Sequence, residues 1–141
     1  MPLVVPNEGE PTLLRLMLVA ALIADEPFLL HLYSNNYDPV KDSVLGDFME
    51  ASFSGYDTIQ LDRDTWTYPV EIAGIANTTY GVTFLQWLAT SGTQDIYGYY
   101  VTDLAETICI WAEKLATPVT VSASVPVVLL PVMRLHSEVE P

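Results

Sequence analysis

The sequence predicts a mainly β protein: an antiparallel β-sandwich or barrel-like domain with one N-terminal helix. Three observations lead there. Seven or eight short segments rich in β-branched and aromatic residues recur between turn signals, the pattern of sandwiches and barrels rather than of helical or doubly wound folds. The stretch 96–135, IYGYYVTDLAETICIWAEKLATPVTVSASVPVVLLPVMRL, is almost wholly such material. One segment alone, 11–24, has the apolar density of a helix buried on more than one side.

Residues 1–10 form an arm that begins apolar, with Leu3, Val4 and Val5, and turns acidic at NEGE. Glu8 and Glu10 suit the positive end of a helix dipole, and Pro11 has its φ already set for a first turn. The helix therefore runs from 11 to about 24 and stops at Asp25-Glu26-Pro27, because proline disfavours helix in the residue before it. Residues 28–33 read as a strand, SNNYDP at 34–39 as a turn, 44–51 as a short helical turn and 58–61 as a short strand before the polar DRDT. Residues 68–76 alternate moderately, and 83–88 (TFLQWL) is a clearer strand. Strands over 96–102, 107–111, 119–123 and 127–135 complete the set, the last an edge or bulged strand because of Pro131. The tail 137–141 is polar enough to fray, which leaves 11–136 as a single β-rich domain.

A chain of 141 residues has the common size of one domain. Half its residues are hydrophobic and only 16% are charged, which is apolar for a small soluble surface. A subunit of an assembly hides such an excess in contacts. The net charge of −13 comes from 18 acidic residues against five dispersed basic ones, Arg15, Lys41, Arg63, Lys114 and Arg134. These cannot build the cationic patch that displaces counterions from nucleic acid, and the acidity opposes an anionic membrane. No nucleic-acid or membrane partner is expected. The apolar run 13–24 falls short of the about 20 residues that span a bilayer, and its acidic lead-in is not the basic start of a signal peptide.

Chemistry-bearing residues are sparse. Cys109 is the only cysteine, so an intramolecular disulfide or cysteine-rich zinc site is excluded, and TICIW places it as a small buried hydrophobe. His31 stands alone in FLLHLY and reads as a satisfied strand histidine. Asp57, Asp62 and Asp64 suggest a calcium site or a glycosidase pair, with Arg63 partly neutralising two of them. The spacing lacks the glycine and distal glutamate of an EF-hand loop, and a solvated turn is the simplest reading. No nucleophile elbow or phosphate-cradling glycine motif occurs. No catalytic, cofactor or metal residue is assigned, and a non-enzyme without cofactors is expected. Tyr97, Tyr99 and Tyr100, with Trp66, Trp87 and Trp111, could serve as core, interface anchors or sugar-stacking platforms. Strand alternation puts Tyr97 and Tyr99 on one face and Tyr100 on the other. Leu3, Val4, Val5, Trp66, Tyr97 and Tyr99 are the candidate interface residues.

Three segments in order carry a family resemblance: VVPNEGEPTLLRLML, PFLLHLYSNNYDP, and IYGYYVTD followed by ICIWAEKLATPVTV. Together, from Val4 to about Met133, they resemble small virion structural proteins of tailed bacteriophages, in particular capsid decoration (cement) proteins. One departure is that the glycine-aspartate turn expected between the last two strands is replaced by Ser122-Ala123-Ser124. The resemblance implies a non-catalytic protein made in the host cytoplasm and bound to the outer capsid surface, on the lattice of the major capsid protein. It also implies a homo-oligomer, with a trimer favoured over a dimer. A tail component or a receptor- or carbohydrate-binding module of the virion is the alternative. Negative charge suits the outer face, away from packaged DNA, and an apolar arm at 1–6 would lie across a neighbouring subunit.

Overall fold

The computed structural model describes residues 3–12, 26–81 and 84–135. Its principal sheet is antiparallel, in the order β2-β1-β6-β7, with β1 at Phe28–Tyr33, β2 at Ile59–Leu61, β6 at Gln94–Thr102 and β7 at Cys109–Val121. Leu30 and Leu32 face one side of this sheet, His31 and Tyr33 the other, and all four are buried. A strand covered on both faces needs this near-continuous apolar sequence. The mainly β, antiparallel class expected from the sequence is the class observed.

Two irregularities in the β6–β7 ladder decide which side chains enter the core. Between Ile96 and Gly98 the register shifts, because β6 advances two residues where β7 runs five, from Val119 to Lys114. Tyr97 and Tyr99 consequently lie on opposite faces, Tyr97 with Tyr100, which corrects the expected alternation. At the second shift Val101 pairs with Trp111 but Thr102 pairs with Cys109, so Ile110 and Trp111 both join the main core. β7 is also a single strand where 107–111 and 119–123 were expected to be separate. The intervening AEKLATP has weak strand propensity, yet Glu113 and Lys114 pair with Tyr99 and Gly98 of β6. Pro118 is tolerated because β7 is an edge strand, and it deprives that edge of a donor.

Five further strands form a second layer: β3 (Val70–Ile72), β4 (Ile75–Thr79) and β9 (Val132–Leu135) in one sheet, β5 (Leu85–Trp87) and β8 (Val127–Leu129) in another. The expected single strand over 127–135 is therefore two strands, with Pro131 at the corner. The Tyr80 N–H donates to the Pro131 carbonyl at 2.9 Å, extending the β4–β9 pairing toward β5 and β8, so the two ladders read as one bent ribbon. Tyr80, Trp87, Val127 and Leu129 of this ribbon pack against Leu30, Leu32, Leu61, Val101 and Trp111 of the principal sheet. That contact is the sandwich core. The Ser122-Ala123-Ser124 segment is a corner between sheets rather than a hairpin, since β8 pairs with β5. The Ser122 hydroxyl accepts the Val125 N–H at 3.1 Å and so takes up a turn donor.

The β3–β4 hairpin runs from Val70 to Thr79 and overlaps residues 68–76, read from sequence only as moderate alternation. Its two-residue turn is Ala73-Gly74, with φ of 53° and 81°. Both positions of such a turn need positive φ, which suits Gly74 and strains Ala73. We expect Ala73→Gly to raise the free energy of unfolding by about 0.5–1 kcal/mol, measured by urea denaturation. An unchanged or lowered midpoint would contradict this assignment of the turn.

The second face of the principal sheet is roofed by an Ω-loop over residues 34–49, where the sequence suggested a turn and a helical turn. Its neck closes through the Ser34 N–H on the Met49 carbonyl (2.8 Å) and the Met49 N–H on Asn35 Oδ1 (2.8 Å). A single 3₁₀ turn at Leu45–Asp47 is what the expected helical turn becomes. Phe48 stacks on Tyr100, and Lys114 Nζ holds the loop through Asn36 and Asp38 at 2.7 and 2.9 Å.

The N-terminal arm completes this layer. Val4 exchanges two 2.9 Å backbone hydrogen bonds with Ala112 on the edge of β7, and Leu3 and Val5 pack on the main core. Glu8 Oε1 accepts the Cys109 N–H at 2.8 Å, and Glu10 pairs with Lys41. Residues 10–12 have helical backbone, the start of the expected N-terminal helix; the rest of that helix and the tail lie outside the described residues.

The β6–β7 connection is organised by Asp103, whose carboxylate accepts the Thr107 N–H at 2.7 Å, the Ile108 N–H at 3.1 Å and the Thr107 hydroxyl. Partial burial alone would raise its pKa, but these donors outweigh it and hold the carboxyl below its ordinary value of 3.8. A depressed folded-state value adds stability above the unfolded value and loses it as pH falls through the folded one. The stability advantage of wild type over Asp103→Asn should therefore be complete at neutral pH and shrink on acidification below that ordinary value. Parallel urea titrations read it; a difference independent of pH would contradict it.

Candidate interaction surface

The β1 histidine, His31, is buried and fully engaged. His31 Nδ1 lies 2.8 Å from Glu50 Oε1, and a carboxylate only accepts, so this nitrogen carries the proton. Its Nε2 meets the Thr102 hydroxyl at 2.9 Å, and its ring stacks on Tyr100 with centroids 4.7 Å apart. The Tyr56 hydroxyl donates to Glu50 at 3.0 Å and accepts the Leu32 N–H at 3.1 Å, joining the network to the strand backbone. With His31 and Thr102 both buried, the group acts as a polar pin between β1, β6 and the segment that follows the Ω-loop. Cys109 is equally enclosed: burial first, then the Glu8 charge, pushes its thiol up to about 12, far from a reactive thiolate.

The acidic cluster does not converge. Asp57 caps the Thr58 N–H, Asp62 accepts from Gln60 and Asp64 from Thr65, each exposed on its own turn. Among the described residues no group of three or more histidine, cysteine or acidic side chains is placed to hold a metal. Arg63 turns away from these carboxylates, its Nε donating to the Glu26 carbonyl at 2.7 Å and its guanidinium lying 5.4 Å from the Phe28 ring centre.

The expected interface residues mostly face inward. Tyr99 is 3% exposed and donates to Glu113 at 2.8 Å. Trp66 meets Tyr80 and Trp111 edge-on, and Tyr97 packs against the Tyr33–Tyr100 cluster. Leu3, Val4 and Val5 are committed to β7 and the core, as described above. Tyr99 is thus buried, while Leu3, Val4, Val5, Trp66 and Tyr97 are anchored in the fold and remain partly exposed.

The exposed apolar side chains lie elsewhere. All three residues of β3 are exposed, so the β3–β4 hairpin presents Val70 and Ile72, with Tyr68 just before them at 91% exposure. On the β5–β8 ribbon, strict alternation sends Leu85, Trp87, Val127 and Leu129 toward the core and Phe84, Gln86, Leu88, Val128 and Leu130 outward. Phe84 is 66% exposed, Val128 48% and Leu88 45%. Sequences apolar in both phases, such as FLQWLA and VVLL, are characteristic of strands covered on both sides.

The charges avoid the β5–β8 part of this region, although Glu71 stands exposed between Val70 and Ile72 on the hairpin. Residues 72–94 and 115–133 contain not one aspartate, glutamate, lysine or arginine, in a chain with a net charge of −13. Those two runs supply β4, β5, β8 and most of the second half of β7. The β5–β8 end of the ribbon is thus free of charged residues, its other end carries Arg134 and adjoins Glu71, and the Ω-loop and arm are acidic. This division is a signal in the sequence itself, and it points to Phe84, Leu88 and Val128 where aromatic content pointed to Trp66 and Tyr99. Comparison with family models, curated proteins and solved structures finds no match.

Proposed function

We propose that this chain is a non-catalytic structural subunit that works by binding protein surfaces, and that it decorates the outside of a phage capsid with the major capsid protein as its partner. The resemblance of the three ordered segments supplies the capsid. The observation that carries the association is the β3–β4 hairpin, with Tyr68, Val70 and Ile72 exposed next to the charge-free run that begins at residue 72. Each Å² of such surface covered by a partner contributes about 25 cal/mol, and repetition over a lattice multiplies contacts that are weak singly. The acidic side then faces solution, where like charge keeps neighbouring particles dispersed.

The test is co-sedimentation of the purified chain with undecorated capsids of the parent phage. Wild type should pellet with the particles, and Ile72→Asp should not, with its circular dichroism unchanged. Binding that ignores Ile72→Asp, or a chain that never pellets with capsids, overturns the assignment. Glycan binding lost on Tyr68→Ala would instead select the receptor-binding alternative.

A further inference from the structure

We propose that the outer face of the β5–β8 ribbon docks a second copy of this chain, face to face about a two-fold axis. The inference rests on the reading of the protein as an association subunit, but it uses a surface separate in sequence from the hairpin tip.

Three features select a second copy as the occupant. The first is charge. Two copies carry −13 each, and most of their surfaces repel. The ribbon lies in the uncharged runs 72–94 and 115–133, so contact there keeps the carboxylates of both copies away from the joint. A basic foreign protein would be drawn to the acidic side instead. The second feature is shape. β5 and β8 are an antiparallel pair with Gln86 opposite Val128 at the centre, which places Phe84 and Leu130 toward one end and Leu88 toward the other. An isologous contact uses the same patch on both partners, and a dyad through Gln86 running across the strands sets the Phe84–Leu130 end of one copy against the Leu88 end of the other. The third is Gln86, the polar member of this outward row. Among the described residues its amide has no intrachain hydrogen bond. A carboxamide both donates and accepts, so two copies of Gln86 can satisfy each other across a dyad.

Sedimentation equilibrium of the full chain tests this. Wild type should be a dimer in the micromolar range, and added salt should tighten it, because salt screens the residual repulsion between the acidic sides. Gln86→Glu, nearly isosteric and on the exposed face, should weaken dimerisation at neutral pH at least about tenfold and recover when the new carboxyl is protonated. Val128→Asp should abolish the dimer, and Val44→Asp on the Ω-loop should leave it intact. Circular dichroism of each variant checks folding. A wild-type monomer overturns the proposal, including one whose ribbon is covered by residues 13–25 of its own chain. So does a trimer, or a dimer indifferent to Gln86→Glu and Val128→Asp. A monomer that still binds capsids through Ile72 removes this inference and leaves the proposed function standing; loss of both removes both.

Discussion

Gly98→Ala should destabilise the fold by about 3 kcal/mol, with the urea midpoint falling and its slope unchanged. Gly98 follows the β6 irregularity and pairs with Tyr33 of β1. A Cβ there would stand 2.4 Å from the Glu113 carbonyl oxygen, 2.5 Å from the Tyr33 hydroxyl and 2.6 Å from its ring. Tyr33 is completely buried and cannot swing away, and the Glu113 oxygen is backbone of the neighbouring strand. Glycine is required by the ring laid across it. Tyr33→Phe removes one hydrogen bond, to the Tyr37 carbonyl, and should cost only about 1 kcal/mol. The Gly98→Ala penalty should persist in the Tyr33→Phe background, because the carbonyl clash remains. A Gly98→Ala protein with wild-type stability would contradict the seating of Tyr33.

Gly9→Ala should release the N-terminal arm from β7. A Cβ at Gly9 would lie 2.5 Å from the Ile110 carbonyl oxygen and 2.6 Å from that of Cys109, both fixed in the strand. The arm must lift, and with it go the Glu8–Cys109 hydrogen bond and the Val4–Ala112 pair. We expect a loss of about 2–3 kcal/mol. Cys109 is the built-in reporter: sealed in wild type, its thiol should be alkylated markedly faster in Gly9→Ala under native conditions. Equal alkylation rates would mean that the arm is not held where Gly9 meets β7.

These two glycines show where the sequence was legible and where it was not. β1 was read to the residue because Pro27 stops one side, SNN turns the other, and FLLHLY has no competing conformation. The class of fold followed from many such short segments. The length of β7 was hidden because AEKLATP looks like a turn, although its first three residues, Ala112 to Lys114, are held by their register with β6. The Ω-loop was hidden because its closure depends on Asn35 reaching Met49, a contact that no local spacing predicts. Alternation placed Tyr97 and Tyr99 together until the register shift between Ile96 and Gly98 separated them, which puts Tyr99 in the main core. The arm looked unpartnered because its partner, β7, lies about a hundred residues away in sequence. The ribbon face was legible by a different measure, the distribution of charge, which marks what the chain keeps free of carboxylates.

We propose that the ribbon and the β3–β4 hairpin together form the working surface of this protein. Hydroxyl-radical footprinting measures it directly, because oxidation reports the solvent access of individual side chains. In dilute, unassembled protein Phe84, Leu88, Tyr68 and Ile72 should all be oxidised, as should Met49 and Val40 on the Ω-loop, which are exposed to a similar degree. On decorated capsids the first four should be protected, while Met49 and Val40 continue to react. Protection of Met49 and Val40 with Phe84 and Tyr68 left open would place the working surface on the acidic side and contradict the account.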